Sequence, residues 1–221
     1  MLGALLELQA TSIFAEGLGL IKARASFVEE AHDFTGKASE VMEIMMEAEA
    51  MTQTAAAVGL ACNRQKAGGA AKSLWLSGML DIYNVFSRDV NGVNAQFQLW
   101  VAKGCKPPAD AREACRLAVL GLFYAHAKIE MPGFGWRLKR GPARPVMAEV
   151  AFAHRSGEAV KWLVDAPRVG EDPSPDADIA IFPSAEEAER KTSVGKRYTW
   201  DLAVVHAQPD ELRRAVILKK N

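Results

Sequence analysis

The sequence predicts an α+β protein, with an N-terminal helical bundle followed by a small antiparallel β-sheet region carrying one or two short helices. Three observations predict this class. Apolar residues recur at helical spacing through the first 131 residues, later segments alternate apolar and polar positions, and the two kinds of segment come in blocks rather than in turn. The predicted organisation is a helical region over 1–131, a basic glycine- and aromatic-rich connector over 132–145, and a β-rich region over 146–221.

The first segment, residues 1–21, is apolar, but Glu7, Gln9 and Glu16 interrupt it and no basic n-region opens it. That excludes a secretory signal or a membrane span and predicts a buried helix in a cytoplasmic protein. Over 39–62, Val41, Ile44, Ala48, Met51, Ala55, Val58 and Cys62 fall three and four apart, the stripe of an amphipathic helix with Ser39 as N-cap. Ala48 and Ala55 would let another helix approach closely, so 39–62 is also the predicted seam for protein partners or self-association.

Residues 70–87 predict a second buried helix, with Trp75, Met79, Ile82 and Phe86 on one face, and 89–94 a turn. Residues 95–103 alternate like a strand between helical neighbours. Asp110 and Glu113 form a capping box for a helix running to about Glu130, ended by Pro132 and Gly133.

Beyond the connector, 146–153 and 159–165 alternate around a short polar turn, a hairpin signal. Ile179–Phe182 predicts a short strand. Ser184 and Glu187 cap a short helix over 184–191, and 197–206 alternates as a strand. The tail 209–221 suits either a helix begun by Pro209 and Asp210 or a strand through Val216.

The composition, 49% hydrophobic and 24% charged over 221 residues, is that of a folded chain able to bury a core. Three cysteines, Cys62, Cys105 and Cys115, are odd in number and irregularly spaced, which excludes a disulfide framework and agrees with a reducing compartment.

Net charge is zero, but the charges are segregated. Residues 1–60 hold nine acids and three bases, whereas 61–80 hold Arg64, Lys66 and Lys72 with no acid, and 132–147 hold Arg137, Lys139, Arg140 and Arg144 with no acid. In 132–145, Phe134 and Trp136 interleave with the bases among Gly133, Gly135 and Gly141. Stacking rings, phosphate-neutralising arginines and glycines that allow close backbone approach are the parts of a single-stranded nucleic-acid contact. In 63–73, a glycine-rich basic loop ahead of a helix N-terminus is a second anion-attracting element. It is not a phosphate-binding loop, because Lys66 and Ala71 occupy the two required glycine positions. The predicted nucleic-acid-binding set is therefore Arg64, Lys66, Lys72, Phe134, Trp136, Arg137, Lys139, Arg140 and Arg144, and the two segments together would line one groove.

Catalytic signals are sparse. Pro175-Asp176 followed by Glu189-Arg190-Lys191 matches the loose PD…ExK pattern of metal-dependent nucleases, though on a predicted helix where that pattern needs a strand. His32, His126, His154 and His206 are scattered, and no Cys or His pair has ligand spacing. The expectation is a non-enzymatic, nucleic-acid-contacting subunit of a larger assembly, without metal or cofactor. A structural protein–protein subunit of a virion or other machine is the first alternative, and a metal-dependent nuclease the second.

Overall fold

A computed structural model of the chain describes residues 11–24, 36–131, 133–141, 144–153, 157–208 and 211–220. Glu16–Lys22 is strand β1, Gly36–Ala48 helix α1, Ala50–Thr52 strand β2, Gln53–Gly59 helix α2 and Arg64–Leu76 helix α3. Leu80–Arg88 and Asn94–Ala102 are β3 and β4, and Ala111–Glu130 is helix α4. Gly135–Gly141, Arg144–Ala153, Ala159–Asp165 and Ile179–Phe182 are β5 to β8. Ala185–Lys191 is α5, Arg197–Trp200 β9, Asp201–His206 α6, Leu212–Ala215 α7 and Ile217–Leu218 β10.

The class is mixed α and β, but the expected N-terminal helical bundle does not form. Among the described residues ten strands build two sheets, and the first helix begins only at residue 36. One sheet is antiparallel, in the order β1-β3-β4-β2; the other has the order β10-β9-β8-β7-β6-β5. The second sheet is not wholly antiparallel as expected, because β8 runs parallel to both β7 and β9.

Each departure has a local cause. The predicted 39–62 helix breaks at Glu49, whose φ of 63° is left-handed, and β2 then pairs with β4 through Met51 and Trp100. The Thr52 side chain restarts the helix by accepting from the Ala55 N–H, an N-cap that a continuous helix would forgo. The stripe residues are buried all the same: Val41, Ala48, Met51 and Ala55 are at most 1% exposed. They face the interior of this chain, so the expected association seam is part of the core. The predicted 70–87 helix ends at Gly78 (φ 71°), after which β3 forms a ladder with β4 along its whole length. The expected loop over 63–73 is instead the start of α3, capped by the Asn63 side chain at 2.8 Å from the Lys66 amide. The apolar N-terminal run contributes β1 at residues 16–22, while residues 1–10 lie outside the described residues. Residues 197–206 divide into β9 and α6, and the tail holds both α7 and β10, with Pro209 and Asp210 outside the described residues.

The elements placed correctly have the strongest local signals. Asp110 accepts from the Glu113 N–H, Glu113 accepts from the Ala109 N–H, and α4 follows. The hairpin β6–β7 has the expected strands, paired from Ala148↔Val164 to Ala153↔Ala159. The Ser184 cap on α5 is also as predicted.

Helix α4 is buried on every side because it lies between the two sheets, with β1, β2 and β3 against it on one side and β6 on the other. Two glycines set the spacing to the first sheet. A Cβ on Gly17 would come 2.3 Å from the Ala111 carbonyl, and one on Gly121 would come 2.7 Å from the Ala50 oxygen. The connection between β7 and β8 contains no helix and is held by two buried ion pairs. Arg116 of α4 donates to Asp165 at 2.6 Å and to Glu171 at 2.5 Å. Arg168, 1% exposed, donates to Asp201 at 2.8 Å and to the carbonyls of Phe14, Ala166 and Ile181. Burial pushes the Asp201 carboxyl up, while Arg168 and the Ser12 hydroxyl pull it back.

His126, on α4 against α6, is 1% exposed, and burial pushes its pKa below the ordinary 6.5, partly offset by the nearby Val204 backbone. The unfolded chain therefore binds a proton at this site that the fold refuses. Stability is expected to be complete above about 6.5 and to fall as pH drops through and below that value. Urea unfolding between pH 7.5 and 5 should show this slope, flattened in His126→Leu; an unchanged slope in the variant contradicts the assignment.

Candidate nucleic-acid interface

Arg64, Lys66 and Lys72 are all exposed on α3, opposite a buried side made by Ala67, Ala70, Ala71 and Leu74. Among the described residues none of the three has a carboxylate partner.

The second segment is a strand where a connector was expected. Because side chains on a strand point alternately to opposite faces, the interleaving of rings and bases in the sequence is a separation in space. Phe134, Trp136 and Leu138 face inward. The Trp136 ring meets Tyr124 of α4 edge-on at 5.3 Å, and Phe134 meets Tyr124 at 5.6 Å. Both rings are half-buried core residues, with the Trp136 Nε1 buried and unpaired. Arg140 points the same way. Its side chain is 9% exposed and its Nη1 donates to the Pro107 carbonyl and to Glu113, both at 3.2 Å, so it joins β5 to the start of α4. Arg144 opens β6 opposite Gly141; its side chain lies outside the described residues.

Arg137 and Lys139 are the two bases of the segment that reach the outer face, and both are exposed. Arg137 stands opposite Glu149 of β6, and Lys139 bonds the same carboxylate at 2.5 Å. Lys161 of β7 is exposed on this face as well. Lys139, Lys161 and Arg137 together hold the Glu149 carboxyl below the usual carboxylate range. Gly135, Ala151, Ala153 and Ala159 lie on this face, as do Met147, opposite Lys139, and Leu163, opposite Glu149. At the other end of the sheet α5 covers the outer face through Ala188, packed on Ala180, Phe182 and Tyr198. No described helix covers the outer face over β5, β6 and β7.

No family model, curated protein or solved structure matches this chain. The site's own geometry therefore carries its reading.

The shared groove expected between the two basic segments does not form. Arg64, Lys66 and Lys72 lie on α3 and Arg137 and Lys139 on the outer face of β5, and α1 packs against both elements, with Glu40 paired to Lys37 at 2.6 Å and Glu43 exposed. Sequence reasoning missed Lys161. The hairpin register carried the signal, because pairing Ala151 with Lys161 puts that lysine on the same face as Arg137.

The other chemistry-bearing residues do not converge. Among the described residues no group of three His, Cys, Asp or Glu side chains is placed to hold a metal ion. Lys191 ends α5, where its ammonium bonds the Glu171 carbonyl at 2.5 Å and Glu187 at 2.9 Å. Cys115 is buried and its thiol is pushed up to about 12, which removes the thiolate a nucleophile needs. His206 is exposed at the end of α6, and His32 and His154 lie outside the described residues. Among the described residues no helix is long and apolar enough to cross a membrane.

Proposed function

We propose that this protein is a non-enzymatic subunit that contacts the backbone of single-stranded nucleic acid through the outer face of β5, β6 and β7. The observation that supports this reading is the grouping of Arg137, Lys139 and Lys161 around the one carboxylate of Glu149, on a strand face with no described helix over it. Three cations against one acid leave a local excess of positive charge on a neutral chain. A strand face without a projecting element suits an extended single strand, whereas duplex grooves are entered by a projecting helix or ribbon. The exposed bases of α3 form a separate, weaker patch. The alternative of a structural protein–protein subunit has less support, since the 39–62 seam that motivated it is interior.

The test is binding of a labelled ten-nucleotide oligomer over a salt series. Arg137→Glu with Lys161→Glu is expected to weaken binding at least tenfold at 50 mM salt. It should also reduce the slope of log K against log salt by about 1.4, at about 0.7 per phosphate contact on a single strand. Arg64→Glu with Lys72→Glu should have the smaller effect. Binding absent at low salt, or unmoved by the first pair, removes this reading.

A further inference from the structure

The inner face of the second sheet carries a different arrangement, one that supplies the aromatic stacking surface missing from Phe134 and Trp136. Past the last turn of α4, a groove of about 800 Å³ opens beside α7, with Phe152 and Trp162 on one side and Leu212 on the other. The Phe152 ring meets the half-buried Trp162 ring edge-on at 4.6 Å. The Arg197 guanidinium lies over Trp162, with its Cζ 5.1 Å from the ring centroid. Arg213 is exposed on the groove's wall, with one Nη donating to the Glu130 carbonyl at 3.1 Å.

Among the described residues the lining holds one carboxylate, Glu130, and it is committed elsewhere: its oxygens accept from the backbone N–H groups of Leu212 at 2.6 Å and Arg213 at 3.3 Å. Both guanidiniums thus face the groove without a carboxylate bound to them among the described residues. The volume lies within the range of small-ligand sites, about 300–1,000 Å³. Aromatic and guanidinium planes accept a nucleobase by stacking, and a second guanidinium at the mouth pairs with phosphate. An apolar peptide or an uncharged lipid would use the apolar wall but would leave both cations unanswered.

We infer that this groove holds one unpaired nucleotide, its base against Trp162 and Arg197 and its phosphate on Arg213. The inference deepens the proposed contact with single-stranded nucleic acid by adding a base-holding site on the opposite face of the same hairpin. The experiment follows the tryptophan indole N–H resonances of the full chain, with Trp162 assigned through Trp162→Phe, during titration with adenosine monophosphate, ribose 5-phosphate and a ten-nucleotide oligo-uridylate. The expected result is a saturable shift of the Trp162 resonance with adenosine monophosphate and the oligomer, absent with ribose 5-phosphate, while the buried Trp100 stays in place. Arg213→Gln, an exposed change that keeps a hydrogen-bond donor near the Glu130 carbonyl, should weaken the mononucleotide at least fivefold while the chain still unfolds cooperatively. A Trp162 resonance unmoved by both nucleotide and oligomer, or moved equally by ribose 5-phosphate, overturns the inference. Mononucleotide binding that persists in Arg137→Glu with Lys161→Glu, alongside lost oligomer binding, supports both readings. Mononucleotide binding without any oligomer binding sustains the groove and removes the outer-face reading alone.

Discussion

Arg168→Met is expected to lower the unfolding free energy by about 3–5 kcal/mol, as breaking one partner of a buried ion pair does in other proteins. For a chain of this size that corresponds to roughly 6–20 °C in melting temperature. Arg168 is 1% exposed and Asp201 is fully buried, so removing the guanidinium leaves a carboxylate with no access to water. The loss goes beyond the pair. Arg168 also donates to the carbonyls of Phe14, Ala166 and Ile181, tying the segment before β1, the loop after β7 and strand β8 to one point. Asp201→Leu alone should be nearly as damaging, because it strands the guanidinium. The double variant should recover part of the loss but not all of it, since the three carbonyls stay without their donor. Chemical unfolding of the two single variants and the double variant gives the coupling directly. Single variants within about 1 kcal/mol of the parent chain would show that water reaches this cluster.

Gly17→Ala and Gly121→Ala are expected to destabilise the protein by about 1–3 kcal/mol each, with Gly17→Ala the larger. At Gly17 the added methyl would sit 2.3 Å from both the carbon and the oxygen of the Ala111 carbonyl, and backbone cannot rotate aside. At Gly121 the obstacle is the Ala50 oxygen of β2 at 2.7 Å, followed by Met51. Either change must lift α4, buried from Ala114 to Ala127, from the first sheet. Gly69→Ala provides the opposite sign. It lies within α3 with nothing within 4 Å of an added Cβ, so the substitution removes only the conformational freedom of glycine, a gain of about 0.5–1 kcal/mol. Thermal unfolding of the three variants tests the assignment; a neutral Gly17→Ala would mean that α4 does not press on β1.

The legible parts of the fold share a property: their signal is complete within a few residues. The Asp110–Glu113 box, the Ser184 cap and the β6–β7 hairpin each satisfy their own backbone groups locally, and each is found where the residues place it. The 39–62 and 70–87 segments carry good helical periodicity as well, yet a three-residue strand, Ala50–Thr52, interrupts the first and β3 takes the second half of the other. Met51 and Ile82 satisfy a helical stripe, but each also satisfies a ladder with Trp100 of β4, and burial in a sheet outweighs a weak intrinsic preference. The site was half legible for a related reason. Composition singles out 132–145 as basic and aromatic, but the alternation of a strand sends Trp136 and Arg140 inward and Arg137 and Lys139 outward. Lys161, Trp162 and Arg197 lie outside that stretch and had no compositional mark.

By itself the sequence determined which residues are apolar enough to be buried, where α4, α5 and the hairpin begin, and which stretches carry cations without acids. Only the tertiary structure decided that Val41, Met51 and Ala55 serve an internal core and not an association seam, that α1 packs against both α3 and β5, and that Lys161 joins Arg137 and Lys139 on one strand face. Those outcomes depend on partners distant along the chain. A residue's periodicity records its need to be buried, while the neighbour that buries it is chosen by long-range packing and strand pairing, which no local window contains.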